Sequence, residues 1–330
     1  MNCKAKVFIH IGHPKTASTS LQLNLFLNHP EINYLGTAFS RGAQQKKLED
    51  ILAGKELDPG KAQEISDFWR KLLTLDEISY SSSSILDANT FKENLVPKVI
   101  DKHNKVNVIS HEGMTNSCIG DIGLKAKRAH SIFPDAKIIL VIRNQIDVLR
   151  SLYDMHPTSP FTGVSMGNTL TIESWLDFNF DRIERSYLKG MLYSDIAAYY
   201  KQLFGERSVG IFVFEQLKVN PDEFSHQLSS FMGIDSSITR KLLSMPPKNT
   251  SKDHLVHNFR KKILPGVQFS KILPKETHRQ LVNQLTRYAP NKKTRVPDFY
   301  KEKIGNFYRE TNQKLITELG IDVAQYGYPL

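Results

Sequence analysis

Four short apolar runs, Lys6 to Ile11, Val106 to Ser110, Lys137 to Ile142 and Val209 to Phe214, constrain this chain more than any other feature. Each is rich in β-branched or aromatic residues, the pattern of a strand buried on both faces. Stretches of helical spacing flank them: Ala17 to Leu27 with Leu21, Leu25 and Phe26 on one side, Gly123 to Phe133, and Met191 to Phe204. Strands alternating with helices predict an α/β fold, a parallel sheet covered on both faces. The segment from about Phe39 to Asn104 reads as a helical insertion, with helices near Ala62 to Leu73 and Thr90 to His103. A helical C-terminal extension follows from about Leu264, with helices predicted at Thr277 to Tyr288 and Phe299 to Leu319.

Composition sets limits on function. The 330 residues are 40% hydrophobic and 24% charged, enough for a sizeable core. Cys3 and Cys118 stand alone, without a second cysteine or histidine at metal-ligand spacing, so neither a disulfide framework nor a zinc site is expected. No run approaches the ~18 apolar residues of a membrane span, and the reading is a cytoplasmic protein without a leader segment. A formal charge of +10 favours anionic partners. Nucleic acid is disfavoured, because no reader motif and no basic patch with interleaved aromatics is present.

In an open parallel sheet, ligands bind beyond the carboxyl ends of the strands. Lys15, His111 with Glu112, Arg143 and Glu215 all fall at that edge, one set after each predicted strand. A lysine, an arginine and an acid or base together suit a polyanion site with a catalytic group. In the first loop, Gly12 and Pro14 shape a turn, and backbone N–H groups from Thr16 to Ser20 open a helix whose N-terminus attracts phosphate. Ser18, Thr19 and Ser20 add hydroxyl donors. A nucleotide-dependent P-loop kinase needs a second Gly followed by Lys and Ser or Thr; the corresponding positions here hold Ala17, Ser18 and Thr19. His10 and His13 are expected to be structural, Trp175 and Trp69 to be core, and Glu173 to lie on the surface.

Pro14-Lys15-Thr16-Ala17-Ser18-Thr19-Ser20-Leu21-Gln22 resembles the loop that holds the 5′ phosphosulfate in sulfotransferases using 3′-phosphoadenosine 5′-phosphosulfate (PAPS). The family usually has Gly and Thr where this chain has Ala17 and Ser18. Lys137 to Arg143, with Ser151 in the following helix, resembles the family's 3′-phosphate motif, and a guanidinium with a hydroxyl can clamp a phosphate. Phe212-Val213-Phe214-Glu215 resembles a third strand end, where an aromatic side chain lies by the adenine. Lys248 to Lys252 is the candidate for a late basic segment, and Thr311 to Asp322 resembles the ending of bacterial members.

The resemblance implies a P-loop-like three-layer fold, a single domain over 1–330, and PAPS as co-substrate with PAP as product, without a metal. It implies in-line displacement at sulfur onto an acceptor hydroxyl or amine, with a saccharide favoured as acceptor. Lys15 would donate to the leaving oxygen, and Glu112, ahead of His111, would take the acceptor's proton. Cofactor contacts would come from Lys15, Thr16, Ala17, Ser18, Thr19, Ser20, Arg143, Ser151 and Phe214. A P-loop nucleotide-dependent kinase, despite the missing Gly-Lys pair, and a non-catalytic nucleotide-binding protein stay as the alternatives. Acceptor choice is assigned to 39–104 and to the loop from Met155 to Thr171.

Overall fold

The computed structural model describes residues 5–35, 100–101, 104–155, 170–246, 277 and 294–330. The predicted helices at Ala62 to Leu73 and Thr90 to His103, Trp69, most of Thr277 to Tyr288, the Lys248 to Lys252 segment and all but the ends of the Met155 to Thr171 loop lie outside the described residues.

The sheet contains β1 (Val7–His10), β2 (Ile32–Tyr34), β3 (Val106–Ser110), β4 (Lys137–Ile142) and β5 (Val209–Val213). All pairings are parallel, in the order β2-β3-β1-β4-β5. The chain passes from β3 on one side of β1 to β4 on the other, so the crevice at the strand ends opens beside β1, where such sheets take ligands. The edge strand β2 has no counterpart among the predicted strands.

The strands divide their side chains between two layers. Ile138, Leu140 and Ile142 of β4 join Ile9, Ile11 and Ile109 in one core. Ile139 and Val141 join Phe8, Val106, Val108 and Phe212 in the other. The first core is covered by helices α2 (Ile122–Ile132), α3 (Gln145–Met155), α4 (Ile172–Phe180), α5 (Tyr193–Phe204) and α9 (Asp298–Thr317). The second is covered by the helical segment after β1 and by α7 (Pro221–Met232), with α8 (Ser236–Leu243) at its margin; α6 (Phe214–Val219) links β5 to α7. This is the expected three-layer α/β arrangement. Trp175 is fully buried between Tyr153 and Tyr187, and Glu173 is exposed.

The helical segment after β1 differs in form from the regular α-helix the spacing predicts. It begins as α1 (Ser18–Ser20) and continues over Leu21–Phe26 as a wider π-type winding, which still turns Leu21, Leu25 and Phe26 into the core.

Candidate active site

Register brings the loop residues together. His10 pairs with Ser110, and the N–H of His111 donates to the carbonyl of His10 at 3.1 Å, so the loop after β3 starts beside the loop after β1. On the other flank Ile142 pairs with Val213, which sets Arg143 next to Phe214.

The loop from Gly12 to Ser20 is tightly built. Gly12 has no left-handed backbone; its constraint is space, because a Cβ there would lie 2.5 Å from His10 Nε2. The left-handed positions are Lys15 (φ 71°) and Ala17 (φ 64°), conformations that cost a side-chain-bearing residue on the order of 1–2 kcal/mol. The family's usual glycine at position 17 would adopt this conformation freely. The Thr16 hydroxyl donates to the carbonyl of His13 at 2.6 Å and that of Ser18 to the same oxygen at 3.2 Å. Both hydroxyls brace the loop from within, that of Ser18 in place of the ligand contact expected of it. Thr19 and Ser20 are half-buried, and the helix opening there carries the N–H groups that a helix leaves without internal acceptors.

His10 at the end of β1 and His13 in the loop are both buried, as expected of structural residues. His13 Nδ1–H donates to the carbonyl of Pro14 at 3.0 Å, and burial pushes its imidazole down to about 4. His10 Nδ1 meets the Ser110 hydroxyl at 2.7 Å, which also accepts from Gln22 Nε2 at 2.9 Å; burial pushes His10 down to about 3.

Arg143 is only 12% exposed, and burial lowers its affinity for its proton, opposed by Asp147 and Glu215. Its Nη1 donates to the carbonyl of Lys15 at 2.8 Å, and its guanidinium lies 4.6 Å from the centre of the Phe214 ring, which Lys218 approaches at 4.4 Å. Its Nε is buried without a partner among the described residues, a donor that an anion would satisfy. Asp147 lies 4.0 Å from the same guanidinium. Ser151 is one turn beyond Asp147 on that face of α3 and is half-buried.

Glu215 behaves as an anchor. One carboxylate oxygen accepts from the N–H of Asn144 at 3.1 Å and the other from the Tyr328 hydroxyl at 3.1 Å, while burial pushes its carboxyl up. Asn144 in turn donates to the carbonyl of Gly327 at 2.6 Å. The C-terminal segment is thereby tied to the start of α3, a link across the chain that no local motif signals.

After β3, His111 Nδ1 accepts the N–H of Gly113 at 2.8 Å, capping a short 3₁₀ turn over Glu112–Met114. A backbone amide only donates, so the neutral ring carries its proton on Nε2. Nδ1 is thus engaged and Nε2 is a donor, which leaves His111 poorly placed to accept a proton. Glu112 is half-buried at the first position of this turn.

A model of the Sulfotransferase domain matches residues 124–307, more than half of the chain, starting beyond the Gly12 to Ser20 loop and including Arg143 and Ser151. The fold is similar to a crystal structure of a sulfotransferase from Alicyclobacillus acidocaldarius, at 15% identity and TM-score 0.51 over 97% of each chain. A mouse sulfotransferase complexed with PAP aligns at 12% identity and TM-score 0.46, over 99% of this chain and 91% of that one. No curated protein matches the sequence.

Proposed function

Because this chain belongs to the sulfotransferase family, we propose that it moves a sulfuryl group from PAPS to an acceptor hydroxyl or amine, a saccharide hydroxyl being the favoured acceptor. We take 1–330 as one sulfotransferase domain, with 39–104 as an insertion and the chain from about 264 as its C-terminal extension. The observation that carries the donor assignment is Arg143: a nearly buried guanidinium bonded to the Lys15 carbonyl, with Nε aimed at no protein group among the described residues. A phosphate is the group that such a donor and a nearby serine hydroxyl accommodate.

In this reading Arg143 and Ser151 hold the 3′ phosphate, and Phe214, with Arg143 against its ring, borders the adenine. Lys15 and the backbone from Thr16 to Ser20 hold the 5′ phosphosulfate, with Ala17 shaping the loop and Thr16 and Ser18 bracing it through the His13 carbonyl. The donor supplies an activated sulfuryl group. Lys15 neutralises charge on the departing oxygen, and the rigid loop keeps its ammonium in place. Glu112 takes the acceptor's proton at a carboxylate oxygen. His111 fixes the turn that presents Glu112, since its Nδ1 is committed to Gly113.

The test is transfer of labelled sulfate from PAPS to a panel of glycans and small alcohols, with Lys15→Ala as control. Transfer by the native chain that Lys15→Ala abolishes supports the reading. Absence of transfer to every acceptor, together with absence of PAP binding, defeats it.

A further inference from the structure

Lys125 is a lysine on α2 that is 1% exposed, a placement that a helix of ordinary amphipathic pattern does not predict. Its Nζ donates to the carbonyl of Gly113 at 2.8 Å and to the carbonyl of Asn116 at 2.7 Å. The first carbonyl lies within the turn that carries Glu112 and the second two residues beyond its end. The same turn is closed by His111 Nδ1 at the Gly113 amide and by the Asn116 amide on the Gly113 carbonyl at 3.3 Å, and the next turn is tied by the Ser117 hydroxyl to the Ser186 carbonyl. The charged or titratable groups that act on Lys125 are Asp121 and Cys118, which favour its ammonium, and Arg128, which opposes it; burial outweighs them and pushes it down to about 8.

A buried ammonium is expensive, and the interior keeps one only where its hydrogen bonds are made. Two of the three donors here go to main-chain oxygens rather than to a carboxylate, so the side chain acts as a clamp on backbone shape. We propose that Lys125 is a positioning residue for sulfuryl transfer, holding the Glu112–Met114 turn so that Glu112 reaches the acceptor's proton. This rests on the assignment of Glu112 as the base. Lys125 itself touches no substrate, and its action is separate from donor binding, which belongs to the loops after β1 and β4.

The test uses the full chain with labelled PAPS and water as the acceptor, so that release of sulfate is read without knowledge of the natural acceptor, alongside PAP binding by titration calorimetry. Lys125→Met is expected to lower turnover about 100-fold, the cost of a misplaced catalytic group, with PAP affinity within about twofold of the native value. Lys125→Arg, which retains the donors, is expected to recover most of that loss. In a Glu112→Gln background Lys125→Met is expected to cost little more, because the two residues act as one unit. Should the methionine variant fail to fold, Lys125→Gln carries the same comparison. Unchanged turnover, parallel loss of PAP affinity, or full additivity with Glu112→Gln overturns the inference. Absence of PAP binding by the native chain defeats instead the sulfotransferase reading on which it rests.

Discussion

Arg143 donates from Nη1 to the carbonyl of Lys15 at 2.8 Å, joining the loop after β4 to the loop after β1. One side chain thus ties the two loops together, while its Nε has no partner among the described residues. Arg143→Ala should therefore weaken PAP binding by about 10- to 100-fold, the range of a lost charge-assisted hydrogen bond. It should also abolish the preference for PAP over adenosine 5′-phosphate, which lacks the 3′ phosphate. Arg143→Lys should rescue little, because an ammonium cannot serve both directions at once. Calorimetric titration of the two nucleotides reads both effects.

Ala17 at φ 64° holds a conformation that glycine adopts without strain. Ala17→Gly should stabilise the folded chain by about 1 kcal/mol, the relief of left-handed strain reduced by the greater freedom of the unfolded glycine. Urea denaturation with an unchanged slope would register it.

Acid should unfold the protein through two buried histidines, His10 at the end of β1 and His13 in the loop that follows. Both are buried and neutral, with His13 pushed down to about 4 and His10 to about 3 from an ordinary value of 6.5. Between 6.5 and those values the unfolded chain binds more protons than the folded one, so stability falls as pH falls. The slope approaches roughly 1.4 kcal/mol per pH unit for each histidine, and the loss ends near pH 4 for His13 and near pH 3 for His10. Glu215, whose carboxyl is pushed up, works in the opposite direction. Thermal melts from pH 7 to pH 4 should show the decline, and His13→Gln should flatten it.

Gly190 sits where a Cβ would lie 2.1 Å from the carbonyl oxygen of Thr115 and 3.1 Å from the His13 ring. Gly190→Ala forces main chain apart, and overpacking of this kind costs about 1–3 kcal/mol. Reduced melting temperature, with any remaining folded fraction weakened in PAP binding, is the expected result.

What the sequence made legible follows from what each residue signals locally. Val106 to Ser110 and Lys137 to Ile142 were readable to the residue, because strands buried on both faces are dense in β-branched residues, even though Asn107 and Ser110 interrupt the first. The strand Ile32–Tyr34 was not, since it is three residues long and its Asn33 side chain pairs with Asn107 at 2.8 Å, a polar contact without an apolar pattern. Arg143 beside Phe214 follows from register alone. The inward turn of Thr16 and Ser18, the spatial demand behind Gly12, the cap made by His111 and the buried Lys125 all depend on partners set by the tertiary fold. A lysine on an amphipathic helix reads as surface until the carbonyls it meets are known.

The proposed function requires that the loops around Lys15 and Arg143 form a site for a 3′-phosphorylated adenosine donor. Its most direct measurement is calorimetric titration of the native chain with 3′,5′-diphosphoadenosine in a chelating buffer free of magnesium. One saturable site per chain is expected, tighter than for adenosine 5′-phosphate and weakened by Arg143→Ala. Absence of binding, or binding of ATP in preference and only with magnesium, would contradict that function.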